Sequence, residues 1–145
     1  EVYAAAGVLV DPEIGKAGGV DTAVITLKFA NGAIGTIDNS RKAVYGYDQR
    51  VEVFGSGGMV AVANNTPDSH VYSSAEGVSS AKPLYFFLER YTESFIEEMR
   101  QFIAAIQQDK DTPVTALDGR KPVVIAMAAR KSMQENRPVR LSEIE

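Results

Sequence analysis

Six consecutive residues, Tyr45-Gly46-Tyr47-Asp48-Gln49-Arg50, gather two phenols, a carboxylate, an amide and a guanidinium on one short stretch. Phenols and amides both donate and accept, a carboxylate accepts, and a guanidinium donates, so the cluster suits a small polar ligand rich in hydroxyl groups. It lies between two segments of extended character. Pattern alone therefore also supports a plainer role, a hairpin loop whose tyrosines cap a sheet.

The other candidate chemistry is weaker. His70 is the lone histidine, and with no cysteine the chain has too few borderline ligands for a zinc-type site, so we expect no metal and a surface histidine. Glu89, Glu93 and Glu97 recur every four residues and share one helical stripe with a solvated look, in which Glu97 can pair with Arg100. Gly55-Ser56-Gly57-Gly58 invites comparison with a phosphate loop, but it leads into Val60-Ala61-Val62-Ala63, which is β-type sequence and not a helix. A dinucleotide fingerprint must open a helix, so a hairpin turn is the better reading.

The chain as a whole bounds what these groups can serve. It has 145 residues, 45% of them apolar, with 15 Lys+Arg against 19 Asp+Glu and a net charge of -4. That length suits one domain, 1–145, with a real core. A mildly acidic balance with scattered cations argues against nucleic acid, and no apolar run approaches the ~18 residues that a bilayer requires. The absence of cysteine excludes disulfides, thiolate zinc and a cysteine nucleophile. The first residue is Glu1 and the first methionine is Met59, so we expect a piece of a longer protein.

The elements that must carry the cluster are readable by period. Val20 to Ala30 alternates, with Ala23, Ile25, Leu27 and Phe29 on one face and Thr22, Val24, Thr26 and Lys28 on the other. Asn31-Gly32 predicts a type I′ turn into a partner strand over Ala33-Ser40. Further strands are expected at Glu1-Val10, Gln49-Gly55, Met59-Ala63 and Ser69-Ser74, with a short one at Val139-Leu141. Leu84 to Lys110 carries Leu88, Tyr91, Phe95, Met99, Phe102 and Ile106 at helical spacing. A second helix starts after Thr115 as N-cap and runs to about Asn136, with Pro122 expected to kink it or detach its first turns. The fold class is α+β, an open and mainly antiparallel sheet of five or six strands with two C-terminal helices packed on one face. Val24, Thr26 and Thr36 leave its second face small and β-branched, which we expect a partner subunit to cover.

Several motifs in order resemble one family. Val20-Asp21-Thr22-Ala23, Phe29-Ala30-Asn31-Gly32-Ala33-Ile34-Gly35, the Tyr45–Arg50 cluster, Val53-Phe54-Gly55-Ser56-Gly57-Gly58, Glu89-Arg90-Tyr91, Thr115-Ala116-Leu117-Asp118-Gly119 and Ala126-Met127-Ala128-Ala129-Arg130-Lys131-Ser132 are similar to the C-terminal domain of the glucose-fructose oxidoreductase and inositol dehydrogenase family, Gfo/Idh/MocA. The resemblance implies an NAD(P)-dependent cytoplasmic enzyme oxidising a secondary alcohol of a cyclic polyol, with myo-inositol the substrate it points to. It implies a homo-oligomer joined through the open sheet face, with NAD or NADP held by a Rossmann domain outside this chain. The family's Glu-Lys-Pro motif has no counterpart, since Lys82-Pro83 follows Ala81, and its Asp-His pair and Gly-x-Gly-x-x-Gly fingerprint are missing too. No catalytic or cofactor-binding residue is therefore expected here, and the isolated chain should be inert. By the same resemblance Tyr47, then Tyr45, are the substrate-binding residues. A non-catalytic dimerisation module, or a relative acting on another sugar, stands as the alternative.

Overall fold

The computed structural model describes residues 1–144. The chain divides into two compact units, one built from Glu1–Lys42 together with the segment from Asp111 onward, the other from Ala43–Lys110.

The first unit holds a three-stranded antiparallel sheet in the order β1-β2-β3: β1 Val2–Gly7, β2 Thr22–Lys28 and β3 Ile34–Ser40. Register sets Ala4 opposite Ile25 and Ile25 opposite Ile37, so the predicted alternation holds and one face becomes the core side. The β2–β3 connection differs from the expected turn. Only Gly32 has positive φ, at 88°, while Gly32 N donates to Phe29 O (3.1 Å) and Asn31 Oδ1 accepts from Ala33 N (3.1 Å). The asparagine side chain holds its own loop, which leaves the glycine alone to take the left-handed conformation. Between β1 and β2 a short helix, α1 (Pro12–Lys16), had no periodic signal; Asp11 caps it through Glu13 N and Pro12 opens it.

Helix α2 (Phe87–Gln108) belongs to the second unit; helix α3 (Ala116–Glu135) covers the core side of the sheet. Val2, Ala4, Ala128, Ala129 and Val139 form the buried core, with Ile25, Leu27, Ile125 and Met133 packed around it. The alanines bring backbone close to backbone, which is why so small a set suffices. Ser132 is fully buried yet satisfied, accepting from Ala4 N (3.0 Å) and donating to Arg137 O (2.6 Å). Thr115 and Asp118 form a capping box at the start of α3, which runs unbroken through Pro122, so its first turns are not detached. As the seventh residue of the helix, the proline withholds one bond, to the Asp118 carbonyl, in the second turn. Past α3, Val139 pairs with Val2 as an isolated bridge instead of a strand, and Leu141–Glu143 forms a 3-10 turn.

The second unit carries two separate hairpins and a long helix. β4 (Val51–Gly55) pairs with β5 (Gly58–Val62), and β6 (Val71–Ser74) with β7 (Gly77–Ser80), the last strand being one that periodicity missed. Every pairing is antiparallel, as expected, but hydrogen bonding divides the strands into three sheets where one was anticipated. The interruptions fall at 41–50 and 63–70, where Gly46 and the Asn64-Asn65-Thr66-Pro67 turn take the chain out of extended pairing. Helix α2 ends at Asp109 in the left-handed conformation. The expected Glu97–Arg100 pair is present, with contacts of 2.5 and 2.7 Å.

Candidate functional site

The Tyr45–Arg50 segment is a coil whose path is dictated by Gly46. Its φ is 143°, and a Cβ there would lie 2.7 Å from the Pro83 carbonyl oxygen. Only glycine permits that approach. The next residue is fastened at once, because Tyr47 N donates to Leu84 O (2.8 Å) and Leu84 N donates to Asn65 O (3.0 Å).

Asp48 is the hub of the segment. Its carboxylate accepts from Arg50 Nε (2.8 Å) and Nη2 (2.9 Å), from Asn64 Nδ2 (2.6 Å) and from the Tyr45 hydroxyl. Arg50, then Tyr45 and Asn64, hold its carboxyl well below the usual carboxylate range. Asn64 reaches both ways, since its Oδ1 also accepts from Gln49 N (2.8 Å). The Tyr45 proton is therefore committed to Asp48.

Tyr47 stands apart from this network, against helix α2. Its ring meets Tyr91 edge-on at 5.9 Å and 85°, and Tyr91 in turn meets Phe95 at 6.3 Å. Burial pushes the Tyr47 hydroxyl above its ordinary value, the hydrogen bond with Tyr91 adds to that, and the Arg90 charge pulls the other way. Arg90 Nη2 donates to Gln49 O (3.0 Å), and its guanidinium sits 5.8 Å from the Tyr91 ring centroid. Arg90 Nε is buried without a hydrogen-bond partner. A buried donor left unmade costs about 1–3 kcal/mol, so this position calls for a reason.

The chemistry is set by these protonation states. Tyr47 stays a neutral phenol at neutral pH, and Asp48 is a very weak base with its oxygens already engaged. The cluster can hold and orient hydroxyl groups; it has no group poised to accept a proton. His70 does not join it, being an exposed residue paired with Asp68 at 3.2 Å. Gly55-Ser56-Gly57-Gly58 is the β4–β5 turn, so it opens no helix and forms no cradle for a dinucleotide. Among the described residues no three His, Asp or Glu side chains are grouped to hold a metal ion. The first unit has its own groove of about 350 Å³, lined by Ala4, Ala6, Ile25, Ala129 and Met133 with Arg130 as its charged group. Its walls carry no acid-base pair.

Sequence reasoning brought Tyr45 and Tyr47 forward but passed over three contributors. Tyr91 was absorbed into the apolar stripe of the helix, Asn64 into a turn, and Arg90 entered only as part of the Glu89-Arg90-Tyr91 resemblance. A tyrosine on an otherwise Phe, Met and Ile stripe was the available signal, since a buried phenol needs a partner.

The model for the C-terminal alpha/beta domain of the Gfo/Idh/MocA oxidoreductases matches residues 2–141. This chain belongs to that family. It is 49% identical over 144 residues to the myo-inositol 2-dehydrogenase of Thermotoga maritima, covering 99% of this chain and 43% of that protein. It is 40% identical over 141 residues to an inositol 2-dehydrogenase of Rhizobium meliloti, covering 97% and 43%. A probable dehydrogenase from Thermotoga maritima has the same fold with a TM-score of 0.95 at 48% identity, covering 99% of this chain and 43% of the other. The chain thus spans about two fifths of the length of the family members it matches. Among the described residues, no helix of this family member is long and apolar enough to cross a membrane.

Proposed function

We propose that this chain is the substrate-side and assembly domain of an NAD(P)-dependent dehydrogenase that oxidises a secondary alcohol of a cyclic polyol, myo-inositol. The observation that carries the reading is the Tyr47 phenol, held neutral beside Tyr91 on a loop bolted to Leu84 and Asn64. It suits a ring of hydroxyl groups, and the inositol dehydrogenases of Thermotoga and Rhizobium act on such a ring. Tyr47 is the leading substrate-binding residue and Tyr45 the second.

Oxidising a secondary alcohol requires a base for the hydroxyl proton and an acceptor for the hydride. NAD or NADP supplies the second, and in this proposal it is bound by a Rossmann domain outside this chain. Residues 1–145 supply orientation, which is worth most when the reacting carbon must meet a separately held cofactor. Alone they are inert. The enzyme works in the cytoplasm as a homo-oligomer joined through its open sheet faces.

The test compares the isolated chain with the full-length enzyme. The chain yields no inositol-dependent NADH, and in the full-length enzyme Tyr47→Phe raises KM for the polyol or lowers kcat by about 2- to 12-fold, the worth of one hydrogen bond. Unchanged kinetics in Tyr47→Phe removes Tyr47 from the site, and turnover by the chain alone removes the division of labour.

A further inference from the structure

We infer that Arg90 is a positioning residue for substrate, locking the Tyr45–Arg50 loop to helix α2 so that Tyr47 and Tyr91 keep a single mutual geometry. The inference rests on the proposed substrate role of Tyr47 and adds a residue that acts only through others.

Three backbone groups of the loop are held by three different segments. Tyr47 N is held by Leu84 O, Gln49 N by Asn64 Oδ1, and Gln49 O by Arg90 Nη2. The first two fasten the loop to neighbouring coil. The third fastens it to the helix that carries Tyr91, across 41 positions of sequence. Arg90 also precedes Tyr91 directly and places its cation over that ring at 5.8 Å, while the far edge of the aromatic row is set by Phe95. One guanidinium therefore touches both members of the pair's support, the loop behind Tyr47 and the ring of Tyr91.

The unpaired Nε distinguishes this from an ordinary helix-to-loop bond. A lysine at this position could reach the Gln49 carbonyl without burying a further donor. What the guanidinium adds is a flat, weakly hydrated cation that lies against an aromatic face while donating in its own plane. Because Nε is buried, no ligand reaches it, and the residue acts on the site from behind.

The experiment uses the full-length enzyme with tyrosine labelled by ¹³C and the Tyr47 signal assigned through Tyr47→Phe. Arg90→Gln and Arg90→Met should move the Tyr47 ring signal and raise KM for myo-inositol roughly tenfold, leaving KM for the dinucleotide unchanged. Arg90→Lys, which restores the charge and one donor, should fall between them and the parent, and it serves as the test should the other two fail to fold. A Tyr47 signal and inositol KM at parental values in these variants overturn the inference. So does a parallel loss in both KM values, which would mark a general structural role. A displaced Tyr47 signal with inositol KM unchanged both here and in Tyr47→Phe upholds the positioning by Arg90 and instead removes the substrate role of Tyr47.

Discussion

Asp21 shows how much one carboxylate can organise. It is buried at 3% exposure, and its oxygens accept from the backbone N–H groups of Leu9 (2.8 Å), Val10 (2.9 Å) and Asp11 (2.9 Å) and from the Thr22 hydroxyl (2.9 Å). Burial works to raise its pKa, but the N–H groups of Leu9, Asp11 and Val10 and the Thr22 hydroxyl outweigh it and bring the value down from 3.8 to about 2. A lowered folded-state value means that the carboxylate stabilises the fold in full above about pH 4, and that this contribution is lost as the pH falls from there towards about 2. Asp21→Asn should therefore lower Tm at pH 7, with the gap to the parent closing across that window. Circular dichroism melts from pH 7 to pH 2 measure it, and a gap that stays constant refutes the electrostatic account. Nothing in the Val20-Asp21-Thr22 pattern revealed the loop-gathering role, because the three donors come from residues ten to twelve positions earlier.

At the level of elements, local signals were read well where the physics is local. The capping box at Thr115 was legible because its partners lie three residues apart, and the amphipathic period of α2 because residues three and four apart share one face of a helix. Thr115→Ala should cost about 1 kcal/mol in urea unfolding while Thr115→Ser costs little, and equal losses would mean that packing, not capping, fixes the start of α3. What escaped the sequence were features decided by distant partners or by very short elements. Helix α3 continues through Pro122 because the proline withholds a single bond and its neighbours keep theirs; α1 and β7 are too short to show a period. The single sheet became three because strand propensity says which residues extend and nothing about which neighbours they pair with. The candidate site was half legible for the same reason: Tyr45, Tyr47 and Asp48 are contiguous, whereas Asn64, Arg90 and Tyr91 arrive from other segments.

Across the molecule the two units are finished differently. The first has a sealed core under α3, whereas all residues of β4 and β5 are exposed, Phe54 at 82% and Val60 at 68% among them. Apolar surface of that extent is where the proposed assembly can be tested. Light scattering should give a mass heavier than one chain, and Phe54→Lys with Val60→Lys should reduce it to a monomer; a parental chain that already runs as a monomer refutes assembly through this hairpin.

The first unit is also discontinuous: its sheet comes from residues up to Lys42, and its covering helix α3 comes only after the whole of Ala43–Lys110. During synthesis at about 5–20 residues/s, β1–β3 must wait several seconds with Val2, Ala4, Ile25 and Leu27 facing water. The continuous second unit has all its residues first. Val139 then closes against Val2, a contact of very long sequence separation, so residues made later complete a core that earlier ones began, and folding of the core is paced by the ribosome's arrival at α3.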